Sequence, residues 1–88
     1  MGNSKFNNRQ GKAFRRIKNL EGKYANYFKV GHNAVEFVLD FGQYYHGTEE
    51  AELYTRVITS PCYAKFLLET LRKSIEQYEM VFGVIKEE

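Results

Sequence analysis

Leu53-Tyr54-Thr55-Arg56-Val57-Ile58-Thr59, followed at once by Ser60-Pro61-Cys62-Tyr63-Ala64, is the stretch on which the fold turns. Its first part is dense in β-branched and aromatic side chains, which suit a pleated, half-buried surface, so Leu53 to Thr59 predicts a strand. Ser60 and Pro61 then reset the backbone. Serine is a preferred helix N-cap, and proline is favoured at the first helical position, where its missing N–H leaves nothing unsatisfied. Downstream, Ala64, Leu67, Leu68, Leu71, Ile75, Tyr78 and Phe82 recur at spacings of three and four, the apolar stripe of a helix from Pro61 to Phe82. Lys65, Glu69, Arg72, Lys73, Glu76 and Glu79 fall mostly outside the stripe. Glu69 and Lys73 stand four apart with the acid first, a pairing worth ~0.3 to 0.5 kcal/mol. Gly83 occupies the usual C′ position, which lets Val84 or Ile85 fold back on the last turn.

Upstream the period changes from 3.6 to two. Val35, Phe37, Leu39 and Phe41 alternate with Glu36, Val38 and Asp40, the pattern of a strand with one buried face. Tyr24 to Val30, rich in aromatic and β-branched residues, predicts the strand before it, with Gly31-His32-Asn33 as the connecting turn. Gly42 to Glu52 carries His46, Glu49, Glu50 and Glu52 without periodicity and predicts an exposed loop. The expected fold class is therefore α+β, a three-stranded antiparallel sheet followed by one long C-terminal helix. Tyr27, Val38 and Val57 are expected to share the sheet's second face, more apolar than a solvated face should be. Strands of seven residues run about 23 Å against about 33 Å for the helix, so one helix end should overhang the sheet. Both features point to a second copy.

The chain has 88 residues, enough for one domain. A chain of this size buries only about 60 to 65% of the surface its unfolded form exposes, and oligomerisation is one remedy. Cys62 is the only cysteine, so no internal disulfide adds support, which suits a reducing cytoplasm. No apolar run approaches the ~20 residues of a membrane span, and the basic N-terminal region lacks the apolar segment of a secretory signal. The expectation is a cytoplasmic protein with no membrane contact. Charge divides the chain. Residues 1–23 hold seven basic side chains against Glu21 alone, a net +6, whereas residues 24–88 hold six basic and ten acidic ones, a net −4. Residues 1–22 are expected to form a basic, disordered arm, able to make a helical turn through Phe14, Ile17 and Leu20 on meeting a partner, and residues 23–88 a single domain.

Several of these segments recur together elsewhere. Tyr24-Ala25-Asn26, Gly31-His32, Glu36 to Gly42, Arg56-Val57-Ile58, Ser60-Pro61, Ala64-Lys65, Tyr78-Glu79 and Phe82-Gly83 appear here in that order. The run from Tyr24 to Ile85 resembles a family of short bacterial and archaeal proteins catalogued as domain of unknown function 3467, with the basic arm outside the matched stretch. The resemblance implies a small domain and transfers no activity, ligand or catalytic residue. A fainter likeness of pattern is to the repeat of the PUR family of nucleic-acid-binding proteins, in which strands lead to a Ser-containing helix start and a helix ending near a tyrosine, as Ser60 and Tyr78 do here.

No constellation among the polar residues reads as catalytic. His32 follows a glycine in a turn and is not placed opposite Asp40. His46 lies among carboxylates at no metal-ligand spacing. Cys62 sits in the first helical turn without a neighbouring base and reads as a packing residue. Glu36 and Asp40 would project about 13 Å apart, too far for paired-carboxylate catalysis, and they are expected to solvate the outer face or to pair with Lys29 or Arg56 across strands. No catalytic residue, cofactor or metal is expected. The partner-binding candidates are Arg9, Lys12, Arg15, Arg16 and Lys18 of the arm, with Tyr44 and Tyr45, a dityrosine in a loop with no core to fill. The expected function is a non-catalytic binding or scaffolding subunit that oligomerises with itself and meets another protein. The alternative is a single-stranded nucleic-acid module in which the basic arm grips phosphate and Tyr27, Lys29 and Arg56 form a stacking platform on the sheet.

Overall fold

The computed structural model describes residues 13–87. Three strands, β1 (Tyr27–His32), β2 (Phe37–Tyr44) and β3 (Ala51–Thr59), form one antiparallel sheet in the order β1-β2-β3, and α1 (Pro61–Phe82) follows. The fold class is the one the sequence implied, and the helix has the bounds read from it. The Ser60 hydroxyl accepts from the Tyr63 N–H at 3.3 Å, and the Ser60 carbonyl accepts from Ala64 at 2.9 Å. At the other end Gly83 takes φ +97°, its N–H donates to the Glu79 carbonyl at 3.0 Å, and Ile85 folds back to donate to the Glu79 carboxylate at 2.9 Å. Ser60→Ala is expected to lower stability by about 1 kcal/mol in urea unfolding without changing the folded protein's helical signal. A loss of several kcal/mol would show that Ser60 does more than cap.

The strand ends differ from those expected. β1 starts at Tyr27 and runs on through Gly31 and His32, which pair with Val38 and Phe37. The turn lies beyond them, where the Asn33 carboxamide oxygen accepts from the N–H groups of Val35 and Glu36 at 2.8 and 2.9 Å, and the Asn33 N–H donates to the Glu36 carbonyl at 3.0 Å. An asparagine that satisfies the turn's backbone locally frees the glycine before it to stay extended. The expected 42–52 loop shrinks to residues 45–50, because Gln43 pairs with Glu52 and Tyr44 with Ala51. Thr48 closes it, donating to the Tyr45 carbonyl from its hydroxyl at 2.7 Å and its N–H at 3.1 Å, with Gly47 at φ +90°.

β2 and β3 do not pair evenly. Phe41 lies opposite Thr55 and Gly42 opposite Leu53, so Tyr54 is an extra residue, a β-bulge. The bulge sets which side chains share a face. One face carries Phe28, Val30, Phe37, Leu39, Phe41 and Val57, and the other Tyr27, Lys29, Val38, Asp40, Arg56 and Ile58. Val57 therefore lies opposite Leu39 on the apolar face, not with Tyr27 and Val38 as the unbulged pattern implied.

Among the described residues extensive contact between elements is confined to the two strand pairs, and α1 is not packed across the sheet. The expected overhang therefore does not arise, and with β2 at 8 and β3 at 9 residues the strands come close to the helix in length. No apolar side chain among the described residues is buried. The stripe of α1 is open, Leu68 60% and Leu71 55% exposed, and so is the apolar sheet face, Phe28 60% exposed. Cys62, read as a packing residue, is exposed as well. Among the described residues Asp40 and Gly42 alone are buried, both on the central strand.

Candidate partner-binding surfaces

The polar face of the sheet is organised around Asp40. Its register row runs Lys29, Asp40, Arg56 across the three strands, with Tyr27 two residues along β1 on the same face. The Arg56 guanidinium grips the carboxylate in bidentate fashion, Nε to Oδ1 at 2.7 Å and Nη2 to Oδ2 at 2.9 Å. That hydrogen bonding holds the Asp40 carboxyl below its ordinary range, with the charges of Arg56 and Lys29 acting in the same sense and burial opposing them. The cross-strand pairing expected for Asp40 is thus met by Arg56, whereas Glu36 sits in the hairpin turn.

The pair has a pH consequence. A carboxyl whose folded-state value lies below its unfolded one stabilises the fold above about pH 4 and loses that contribution as pH falls through the folded value. Arg56→Gln is expected to reduce stability at neutral pH, and the gap to the unchanged protein should close below about pH 4, where Asp40 is protonated in the unfolded chain and progressively in both folded ones. Urea midpoints at pH 7 and pH 3 measure it. A gap of equal size at both would show that the ionised carboxylate is not what Arg56 stabilises.

The structure brings Tyr27, Lys29 and Arg56 to one face, as the stacking-platform alternative requires, although Asp40 occupies two of the guanidinium's nitrogens. His32 lies within β1 and not in a turn, its ring stacked on Phe37 with centroids 5.2 Å apart. Tyr44 ends β2 and only Tyr45 enters the loop, where its hydroxyl donates to the Gln43 side chain at 2.9 Å. Both rings are exposed. Arg15, Arg16 and Lys18 are exposed on an irregular segment with Asn19 at φ +70°, and the Arg16 guanidinium lies 4.9 Å from the Phe14 ring centroid. Arg9 and Lys12, with the disorder expected of residues 1–12, lie outside the described residues.

Three side chains outside the candidate sites read from the sequence hold these surfaces together. Asn26 brackets Tyr44, accepting from its N–H at 2.8 Å and donating to its carbonyl at 3.2 Å. Tyr54, in the bulge, donates its hydroxyl to the Tyr24 carbonyl, and Lys23 lies over its ring at 5.7 Å, which fastens the root of the arm to the sheet. Arg72 pairs with both Glu69 and Glu76 along the outside of α1, and its hydrogen bond lowers the Glu69 carboxyl, with smaller help from the charges of Lys73 and Lys65. Among the described residues no helix is long and apolar enough to cross a membrane, and no group of three His, Cys, Asp or Glu side chains comes together to hold a metal.

These features define a small α+β module with one apolar and one charged sheet face, an open helix stripe and a basic arm. The chain belongs to the family described as protein of unknown function (DUF3467), whose family model matches residues 4–87. The match takes in the basic arm from residue 4, where the resemblance in sequence motifs begins only at Tyr24. No curated protein and no solved structure matches the chain.

Proposed function

We propose that the protein is a non-catalytic binding or scaffolding subunit of the cytoplasm, which oligomerises through its sheet and helix and docks another protein through its basic arm. The observation that carries this reading is the absence of any buried apolar side chain among the described residues. A domain holds together by burying apolar surface against the entropy of ordering its chain, and a sheet and a helix that do not cover one another leave that requirement unmet in a single copy. The arm supplies the second half. Residues 1–23 carry a net +6, a charge drawn to acidic surfaces. Light scattering on the full chain is expected to give a multiple of the 10.4 kDa mass. A monomer that melts cooperatively would overturn the reading.

The alignment of Tyr27, Lys29 and Arg56 on one face favours a second reading, single-stranded nucleic-acid binding. The two are separated by deletion of residues 1–22 and by Tyr27→Ala. A scaffold binds single strands weakly, and that binding vanishes near physiological salt, while Tyr44→Ala with Tyr45→Ala releases its protein partner. A nucleic-acid module instead loses about 1 to 3 kcal/mol with Tyr27→Ala at nearly unchanged salt slope, and arm deletion flattens the slope by about 0.7 for each phosphate no longer neutralised.

A further inference from the structure

Among the described residues the sheet and helix of one chain are two halves of a layered core without extensive contact between them. Helix on sheet is among the few arrangements by which such elements bury their apolar sides. Here Phe28, Val30 and Val57 on the outer strands of the apolar sheet face are exposed, with Leu39 half-buried between them, and the α1 stripe, with Leu68 and Leu71, is open. Their dimensions correspond. Three strands place the outer two about 10 Å apart, the diameter of one helix, and the 9 residues of β3 run about 30 Å beside a helix of about 33 Å. α1 nevertheless leaves the end of β3 through Ser60, extended at φ −85° and ψ 163°, without folding back.

We infer that two copies exchange helices: α1 of each chain lies across the apolar sheet face of the other. This rests on the oligomeric reading above and adds which surfaces meet. The occupant is a second copy because each chain offers both what is missing and what is needed, so a two-fold pairing covers all four apolar surfaces with one contact used twice and closes without open ends. The area fits as well. The half-exposed apolar side chains of the two surfaces come to roughly 800 Å² per chain, the size of one side of a standard stable interface. The Asp40, Arg56 and Lys29 face stays outside the exchanged layers, where Arg56 and Lys29 remain exposed to solvent.

Leu71→Lys on the helix and Val57→Glu on the sheet test the exchange in the full chain. Both side chains are already exposed in a single copy, so neither substitution damages a lone chain's own packing. Each variant alone should lose the dimer mass in light scattering, with the dissociation constant raised at least ~100-fold, because a buried, unpaired charge falls in both contacts. Mixed in equal amounts, the two should recover dimer mass and helical signal to within about tenfold of the unchanged protein, since one contact is then intact and the other pairs Lys with Glu. A dimer sensitive to Leu71→Lys but not Val57→Glu would mean helix against helix, and the reverse sensitivity sheet against sheet. Either result, or a mixture no better than its components, overturns the exchange while leaving an oligomer. A monomeric unchanged protein overturns the oligomer too.

Discussion

Leu71→Ala is expected to lower the stability of the full chain by about 2 to 5 kcal/mol, and the unfolding midpoint of both proteins should rise with protein concentration. In a single copy Leu71 is 55% exposed, and truncation of a side chain so open changes stability by no more than about 0.5 kcal/mol. The two magnitudes differ enough to decide whether a second copy covers the stripe. Beneath a partner's sheet the same truncation removes buried methyl groups and leaves a cavity in each of two equivalent contacts. Met80, 85% exposed and on the opposite face of α1 from the stripe, is the internal control, since Met80→Ala should stay within about 0.5 kcal/mol. Urea unfolding across a hundredfold range of protein concentration measures both effects. A Leu71→Ala loss as small as that of Met80→Ala, with a midpoint indifferent to concentration, would place the stripe in solvent.

The helix is legible in the sequence to the residue because everything that bounds it is local: a serine cap, a proline in the first turn, a stripe of period 3.6 and a glycine at the end. The strand ends are not, because ladder pairing decides them across a distance. Gly42 to Tyr44 and Ala51 to Glu52 have loop composition, yet they pair once Asn26 fixes the far end of β2 by bonds to Tyr44 that span 18 residues. Glycine's turn preference points to a turn at Gly31 and His32, while the side chain that builds the turn belongs to Asn33. The polar face is half legible, Asp40 and Arg56 being sensible cross-strand partners. That helix and sheet stand apart has no sequence signal. An apolar stripe announces that it will be covered and not which copy of the chain will cover it.

Gly42→Ala is expected to cost about 3 kcal/mol or more and to disorganise the outer half of the sheet, although the change adds one methyl group. A Cβ at Gly42 would collide with the backbone carbonyl of Glu52, with the Glu52 carbonyl carbon and the Leu53 Cα also within 3 Å. Backbone cannot yield as the end of a flexible side chain can, so the collision acts on the bulge itself. Without the bulge, the pairing of Tyr44 with Ala51 would continue evenly and place Val38 opposite Val57 and Asp40 opposite Thr55. That one-residue slip moves Val57 off the apolar face and takes Arg56 away from Asp40. The relaxed variant should therefore bind a second copy less tightly and lose the dependence of stability on Arg56 at neutral pH. Gly31→Ala is the comparison, because a Cβ there meets nothing within 4 Å and the lower entropy of the unfolded chain should make it neutral or stabilising by up to about 1 kcal/mol. Equal stability for the two variants would mean that Gly42 tolerates a side chain and that something other than its close approach holds the register of β3.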